Sequence, residues 1–242
     1  MKKKLIILTG PTAVGKTDLS IRLARTVGGE IISADSMQVY RRMDIGTAKI
    51  RPEEMDGVRH HLIDILEPTE SFNAFLFKEY ALKAANEIWE RGSIPIIVGG
   101  TGFYIQTILY DIEFAKSDEN DGIRDELNKL YEEHGAAFLH DMLAKVDPEY
   151  AAEVHENNVK KVIRAIEFYR QTGHKLSEHN TEQRERTSPY NFEYFVLSDD
   201  RTVLYERIDK RIDGMVEAGL IAEVQALLDE GVDRRSVAMQ GL

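Results

Sequence analysis

Short runs of branched apolar residues alternate, along the first half of the chain, with longer stretches whose apolar residues recur every three or four positions. Leu5 to Leu8 is an apolar run that ends at Gly10, the pattern of a buried parallel strand. A helix is predicted from near Lys16, with Leu19, Leu23 and Val27 as its apolar stripe and Gly28-Gly29 as its stop. Glu30 to Ala34 reads as a second strand and His61 to Leu66 as a third. Asn73 to Arg91 has helical spacing, placing Phe77, Ala81, Ala84 and Ile88 on one face, and Gly92 ends it. Ile94 to Val98 is a further β-branched strand, running into Gly99-Gly100-Thr101-Gly102. Strands alternating with helices predict a parallel sheet with helices on its faces.

The pattern changes at about residue 114. From Asp118 to Gly173 the spacing is helical, in Ile123/Leu127/Leu130, Phe138/Met142 and Val159/Ile163/Ile166/Tyr169, with Asp147-Pro148 marking a turn and a helix start. Strand character returns at Phe192 to Leu197. A helix carrying Leu204, Ile208, Ile212 and Met215 follows, is broken at Gly219, and gives way to one more from Leu220 to Leu228. The expected organisation is an α/β core built from residues 1–113 and 190–242, with an all-helical insertion at 114–189. No internal repeat or low-complexity segment is visible.

Composition narrows the chemistry. None of the 242 residues is cysteine, which removes thiolate catalysis, disulfides and Cys-ligated zinc, and suits a reducing compartment. The opening MKKKLIILTG has too short an apolar run for a signal peptide, and no stretch approaches the ~18 apolar residues of a membrane span. The reading is a soluble, cytoplasmic protein with no membrane partner. A formal charge of −11 argues against nonspecific nucleic-acid binding. Its distribution is uneven: residues 1–113 carry 14 basic and 15 acidic side chains, residues 114–242 carry 17 and 27. Inside that acidic half, Lys160, Lys161, Arg164, Arg170 and Lys175 face one acid, Glu167, and such an island can steer a polyanion locally.

Gly10-Pro11-Thr12-Ala13-Val14-Gly15-Lys16-Thr17 matches G-x-x-x-x-G-K-[ST] in full, after a predicted strand and before a predicted helix. The glycines let backbone N–H groups turn toward an anion, Lys16 adds a mobile positive charge, and the Thr17 hydroxyl suits Mg²⁺. The loop makes the sheet P-loop NTPase-like. It does not say whether the phosphates belong to a nucleoside triphosphate or to another diphosphate. Asp35, at the carboxyl end of a predicted strand, could be a magnesium carboxylate, a general base or a helix cap. Thr101 could donate to a phosphate oxygen or simply sit satisfied in a glycine turn. The aspartate that usually holds the metal after a hydrophobic strand is missing from IPIIVGGT, and Asp64 is a weak substitute, so the reading leans away from ATP hydrolysis. His60-His61 lack clustered ligands and read as strand or turn residues.

Taken together, GPTAVGKT, Ile32 to Lys49 (ISADSMQVYRRMDIGTAK), HHLIDI, PIIVGGTGFYI and Arg207 to Val224 (RIDKRIDGMVEAGLIAEV) resemble the tRNA dimethylallyltransferase (tRNA isopentenyltransferase) family over nearly the whole chain. The resemblance implies transfer of a dimethylallyl group from its diphosphate to N6 of the adenosine 3′-adjacent to the tRNA anticodon. It implies that Gly10 to Thr17 cradle the diphosphate, that Lys16 and Mg²⁺ at Thr17 neutralise it, that Asp35 is the general base, and that Thr101 and Arg211 reach the reacting groups. Ser36, Met37 and Gln38 go with Asp35 to the target nucleotide, Gln38 through an amide suited to a purine edge, Met37 and Tyr40 by packing or stacking. The basic stretch Lys160-Lys161-Val162-Ile163-Arg164 matches the segment that lies against the anticodon arm, and Arg124 matches a further tRNA contact. The family pattern continues past AMQGL, so a C-terminally truncated chain is expected, acting as a monomer. The alternatives are a P-loop small-molecule or nucleoside kinase, a prenyltransferase acting on free AMP or ADP, and a noncatalytic tRNA-binding protein with a vestigial loop.

Overall fold

A computed structural model describes residues 2–114 and 122–241. The chain divides into two units, one of residues up to Asp111 together with those from Ser188 onward, the other Ile112–Thr187. The first is an α/β unit. Its strands β1 (Lys4–Thr9), β2 (Gly29–Ser33), β3 (His60–His61), β4 (Ile94–Gly99) and β5 (Asn191–Val196) form one sheet in the order β3-β2-β4-β1-β5. Every pairing is parallel, with Ile31 opposite Ile96 and Ile32 opposite Ile97.

The period-2 geometry of a strand sends Ile31 and Ile96 to one face and Ile32 and Ile97 to the other, and both faces are covered. On one side Ile21 and Ala24 of α1 (Lys16–Val27) pack with Ile31, Ile50 and Ile96. On the other, Phe77, Ala81 and Ile88 of α2 (Ala74–Glu90) and Ile105 and Ile108 of α3 (Gly102–Leu109) pack with Leu5, Ile7, Ile32 and Ile97. Asn73 caps α2, its side chain accepting from the Leu76 amide at 3.0 Å.

Three expectations are corrected. The third strand stops at His61, because Leu62 and Asp64 take positive φ (64° and 54°) and turn the chain away from the sheet. On α1 only part of the stripe Leu19/Leu23/Val27 faces inward: Leu23 and Val27 pack half-buried against the core. Leu19 is exposed, and the helix rests on Ser20, Ile21 and Ala24, whose smaller members allow closer approach to the sheet. A helix, α3, follows β4, where only a glycine-rich turn was expected. Two more helices, α8 (Arg201–Glu217) and α9 (Leu220–Asp229), follow β5 and meet at Gly219, whose φ of 104° favours glycine.

The second unit is helical: α4 (Ile123–Val146, kinked at Gly135), α5 (Pro148–Glu153), α6 (Val159–Thr172) and α7 (Leu176–Glu185). Residues 118–121, where helical spacing begins in the sequence, lie outside the described residues. Its core is Leu127, Leu139, Leu143, Ala151, Val154, Val162, Ile163 and Ile166. Asp147 ties the unit together, accepting from the Tyr150 amide, the Ser177 amide and the Ser177 hydroxyl at 3.1, 2.9 and 2.7 Å. Those donors hold its carboxyl below the ordinary aspartate range although burial alone would raise it.

Candidate active site

β1 and β4 are neighbours, but the chain leaves β1 toward β2 and leaves β4 for the opposite edge at β5. Adjacent parallel strands whose exits diverge open a crevice at their carboxyl ends, where ligands bind in open α/β sheets. The Thr9 hydroxyl donates to the Gly99 carbonyl at 2.8 Å and so joins the two strand ends beneath that crevice.

The loop Gly10 to Thr17 rims it. Gly10 has φ 152°, and a Cβ there would lie 2.6 Å from the Leu197 carbonyl oxygen, so only glycine fits beside β5's exit. Gly15 (φ 92°) and Ala13 (φ 63°) complete the turn into α1, whose first amides have no partner within the helix. The Lys16 ammonium folds back over the loop and donates to the Gly10 and Pro11 carbonyls at 2.9 and 2.7 Å. Burial lowers its pKa, the Asp35 carboxylate opposes that shift and the Arg211 guanidinium adds to it. Lys16 is therefore near enough to Asp35 and to Arg211 to feel the charge of each.

Asp35 lies just past β2 and answers the choice among cap, metal ligand and base in part. Its Oδ1 accepts from the Met37 and Gln38 amides at 2.8 and 3.4 Å, which caps the following turn. Among the described residues nothing hydrogen-bonds to Oδ2. Asp35 lines a cleft of about 450 Å³ (counting the solvent open to it) with Lys16, Thr17, Gln38 and His60, and with the apolar Ile31, Ile50, Ile63 and Val98. The Gln38 amide is held in place, accepting from the Ser33 hydroxyl at 3.3 Å and donating to the Thr47 carbonyl at 3.4 Å. His60, read from sequence as a strand or turn residue, lines the cleft while its Nδ1 pairs with the Val58 carbonyl at 2.9 Å. Burial lowers its pKa, so the ring is neutral near pH 7.

Thr101 caps α3 by position only. Its amide donates to the Ala34 carbonyl at 3.4 Å, and its hydroxyl has no partner among the described residues. Gly99 makes this approach possible, since a Cβ there would stand 2.2 Å from the Ala34 carbonyl oxygen. Burial, then the charges of Tyr40 and Asp35, push the Tyr104 hydroxyl up to about 12, which sets α3 close to Asp35. Ser36 and Met37 lie half-buried in the turn after Asp35, and the flexible end of the Met37 side chain packs against Gly241.

Arg211 is exposed on α8. Sequence reading missed Arg207, one turn earlier on the same face, which pairs with Asp199 at 2.9 Å and reaches the Ala13 carbonyl at 3.5 Å. Its i−4 spacing from Arg211 was the available signal. In the helical unit Lys160 and Lys161 are exposed on α6. Val162 and Ile163, grouped with them in the sequence, are buried in the core, so their side chains anchor the helix and present no surface. Arg124 and Arg164 both pair with the buried Glu167, at 2.5 and 3.3 Å, which leaves part of the basic island neutralised.

Comparison with known proteins fits this arrangement. The family profile described as IPP transferase matches residues 38–242. A tRNA dimethylallyltransferase from Lachnoclostridium phytofermentans is 58% identical over 98% of this chain and 76% of its own length. A tRNA isopentenylpyrophosphate transferase structure from Bacillus halodurans is 46% identical, covering 99% of this chain and 74% of that one, with a TM-score of 0.69. A eukaryotic dimethylallyltransferase acting on tRNA superposes with a TM-score of 0.86 at 34% identity, over 98% of this chain and 59% of that one.

Proposed function

This chain belongs to the IPP transferase family, and from that premise we infer that it transfers a dimethylallyl group from dimethylallyl diphosphate to N6 of the adenosine 3′-adjacent to the anticodon in tRNA, releasing diphosphate. One observation carries the assignment of its residues. The phosphate loop opens onto a cleft that holds both a carboxylate, Asp35, and an apolar wall of Ile31, Ile50, Ile63 and Val98. A prenyl diphosphate needs that pairing of anion nest and hydrocarbon surface, the first for its diphosphate and the second for its five-carbon chain.

In the reaction the C1–O bond to the diphosphate breaks and the N6–C1 bond forms, while the N6 proton passes to Asp35 Oδ2. Negative charge grows on the diphosphate as positive charge grows on the allylic carbon. The loop amides, Lys16 and Arg211 meet the first of these, and preorganised donors aimed at a leaving group lower such a barrier more than any other device a site can offer. Thr101, with its hydroxyl unspent, donates to a diphosphate oxygen beside the target nucleotide. Ser36, Met37 and Gln38 border the same turn and border the base. Among the described residues no cluster of three carboxylate or imidazole groups is built for a metal. The exposed Thr17 hydroxyl has no partner there either, which fits an ion that keeps most of its own waters. Thr17 and diphosphate oxygens would hold Mg²⁺, and the chemistry it supplies when bound is neutralisation of the departing charge.

Lys160 and Lys161, with the one net positive charge that Arg124 and Arg164 keep over their shared Glu167, give the helical unit its surface for the anticodon arm's phosphates. A single copy supplies Lys16, Asp35, Thr101 and Arg211, which supports action as a monomer. No described helix is long and apolar enough to cross a membrane, and tRNA as substrate supports a cytoplasmic site of action. The test is nucleoside mass spectrometry of the adenosine beside the anticodon, after incubating unmodified tRNA and dimethylallyl diphosphate with and without the protein. A prenylated adenosine at that position alone supports the reading; an unchanged adenosine overturns it.

A further inference from the structure

The helix that brings Arg207 and Arg211 to the phosphate loop has no buried side chain of its own. Packing alone does not fix its height above the loop. Its continuation α9 buries only Leu227, yet two carboxylates tie α9 to the segment after Asp35. Glu223 accepts three consecutive backbone amides: Asp44 and Ile45 at 2.8 Å each through Oε2, and Gly46 at 2.9 Å through Oε1. Glu230 pairs with Arg42.

The loop that Glu223 grips is itself locked to the cleft. The buried Lys49 ammonium places its three protons on the Tyr40 carbonyl, Asp44 and Asp64, at 2.6, 2.7 and 2.6 Å. The Thr47 carbonyl receives the Gln38 amide, and the Gln38 backbone caps onto Asp35. A continuous polar path thus runs from Asp35 through the 44–47 turn and Glu223 to the helical arm that carries the two arginines.

We propose that Glu223 is a positioning residue: its grip on the Asp44-Ile45-Gly46 amides sets the α8–α9 arm at the height where Arg211 meets the diphosphate. This rests on the phosphate-loop reading above. A carboxylate answered by three amides is fully satisfied, and removing it strands three donors while freeing the arm. Glu223→Ala should therefore cost diphosphate affinity through Arg211, although Glu223 itself touches no ligand.

The experiment is calorimetric titration of inorganic diphosphate into the wild-type chain, Glu223→Ala, Arg211→Ala and the double variant, with melting curves alongside. Glu223→Ala is expected to raise Kd about tenfold, and to add less than about twofold once Arg211 is already alanine. Glu223→Gln, which keeps the shape and one acceptor, should fall between wild type and alanine, and serves alone if the alanine variant does not fold. In turnover the same substitutions should raise KM for dimethylallyl diphosphate more than they lower kcat. A lowered melting temperature with unchanged Kd would mean a purely structural role and overturn the inference, as would full additivity with Arg211→Ala. Absence of diphosphate binding by the wild type would instead overturn the phosphate-loop reading, and this inference with it.

Discussion

In the α/β unit Ala13, Arg42, Ala48, Asp56, Leu62, Asp64 and Asp111 all hold positive φ without being glycine, whereas in the helical unit, among the described residues, positive φ is confined to Gly122, Gly135 and Gly173. A non-glycine residue in that region costs ~1–2 kcal/mol. The α/β unit carries this cost mainly in the loops at the carboxyl ends of its strands, around Lys16, Asp35 and Lys49. Buried charge follows the same division. Lys49 holds catalytic-side loops in a shape that no regular element would give them, while Asp147 and Glu167 serve helix ends and helix neighbours in the other unit. Strain gathers where chemistry demands an irregular backbone, and a surface for recognition can be built from regular helices.

That contrast is broken most strongly at Asp35. Asp35→Asn should lower kcat by ~10²–10⁴ and leave the melting of the helical unit unchanged; equal kcat in the two proteins would remove the base from the account. Lys16→Ala is expected to weaken inorganic diphosphate binding by about two orders of magnitude at most, read by calorimetry, because a preorganised cation is lost from the leaving-group site. Gly99→Ala is a stability test of the same unit. Its Cβ would collide with Ala34 backbone, so unfolding by denaturant should show a loss of ~1–3 kcal/mol or more.

Asp147→Ala sharpens the other side of the comparison. It removes a cap and strands the Ser177 donors, so the helical unit should lose ~1–2 kcal/mol with prenyl transfer chemistry at the cleft unaffected. The folded pKa of Asp147 is lowered, so its contribution is present above the unfolded value and lost as pH falls through the folded one. Urea titrations of wild type and Asp147→Asn should thus converge in strongly acidic solution. The smallest effect is expected from Lys160→Ala with Lys161→Ala: tRNA affinity falling severalfold, and the salt slope shrinking by ~0.7–0.9 per lysine, with diphosphate binding intact.

Much of the frame was legible because it obeys local rules. The strand-loop-helix around Gly10 to Thr17, the cap at Asn73 and the start at Asp147-Pro148 all announce themselves within a few residues of sequence. α3 escaped because it is only eight residues long and begins inside a glycine-rich run, and α7 because it is almost wholly polar and has no apolar stripe to read. The third strand was overestimated because positive φ at Leu62 has no side-chain signature. Among site residues, Lys16, Asp35 and Arg211 were marked by motif and resemblance. Glu223 looked like an ordinary acid in the first turn of a helix, and its true partners are amides 177 to 179 residues away, which no pattern in one sequence displays.

The central claim is that departure of diphosphate from the loop and deprotonation of an adenosine amine by Asp35 are one coupled event. It is tested most directly by measuring released inorganic diphosphate and N6-prenylated adenosine together, in a single turnover, for wild type and Asp35→Asn. Equal amounts of both products from the wild type are predicted, with both rates collapsing in the variant while dimethylallyl diphosphate still binds within about twofold. Full-rate transfer by the variant, or consumption of ATP with no prenyl group entering the RNA, would contradict the account.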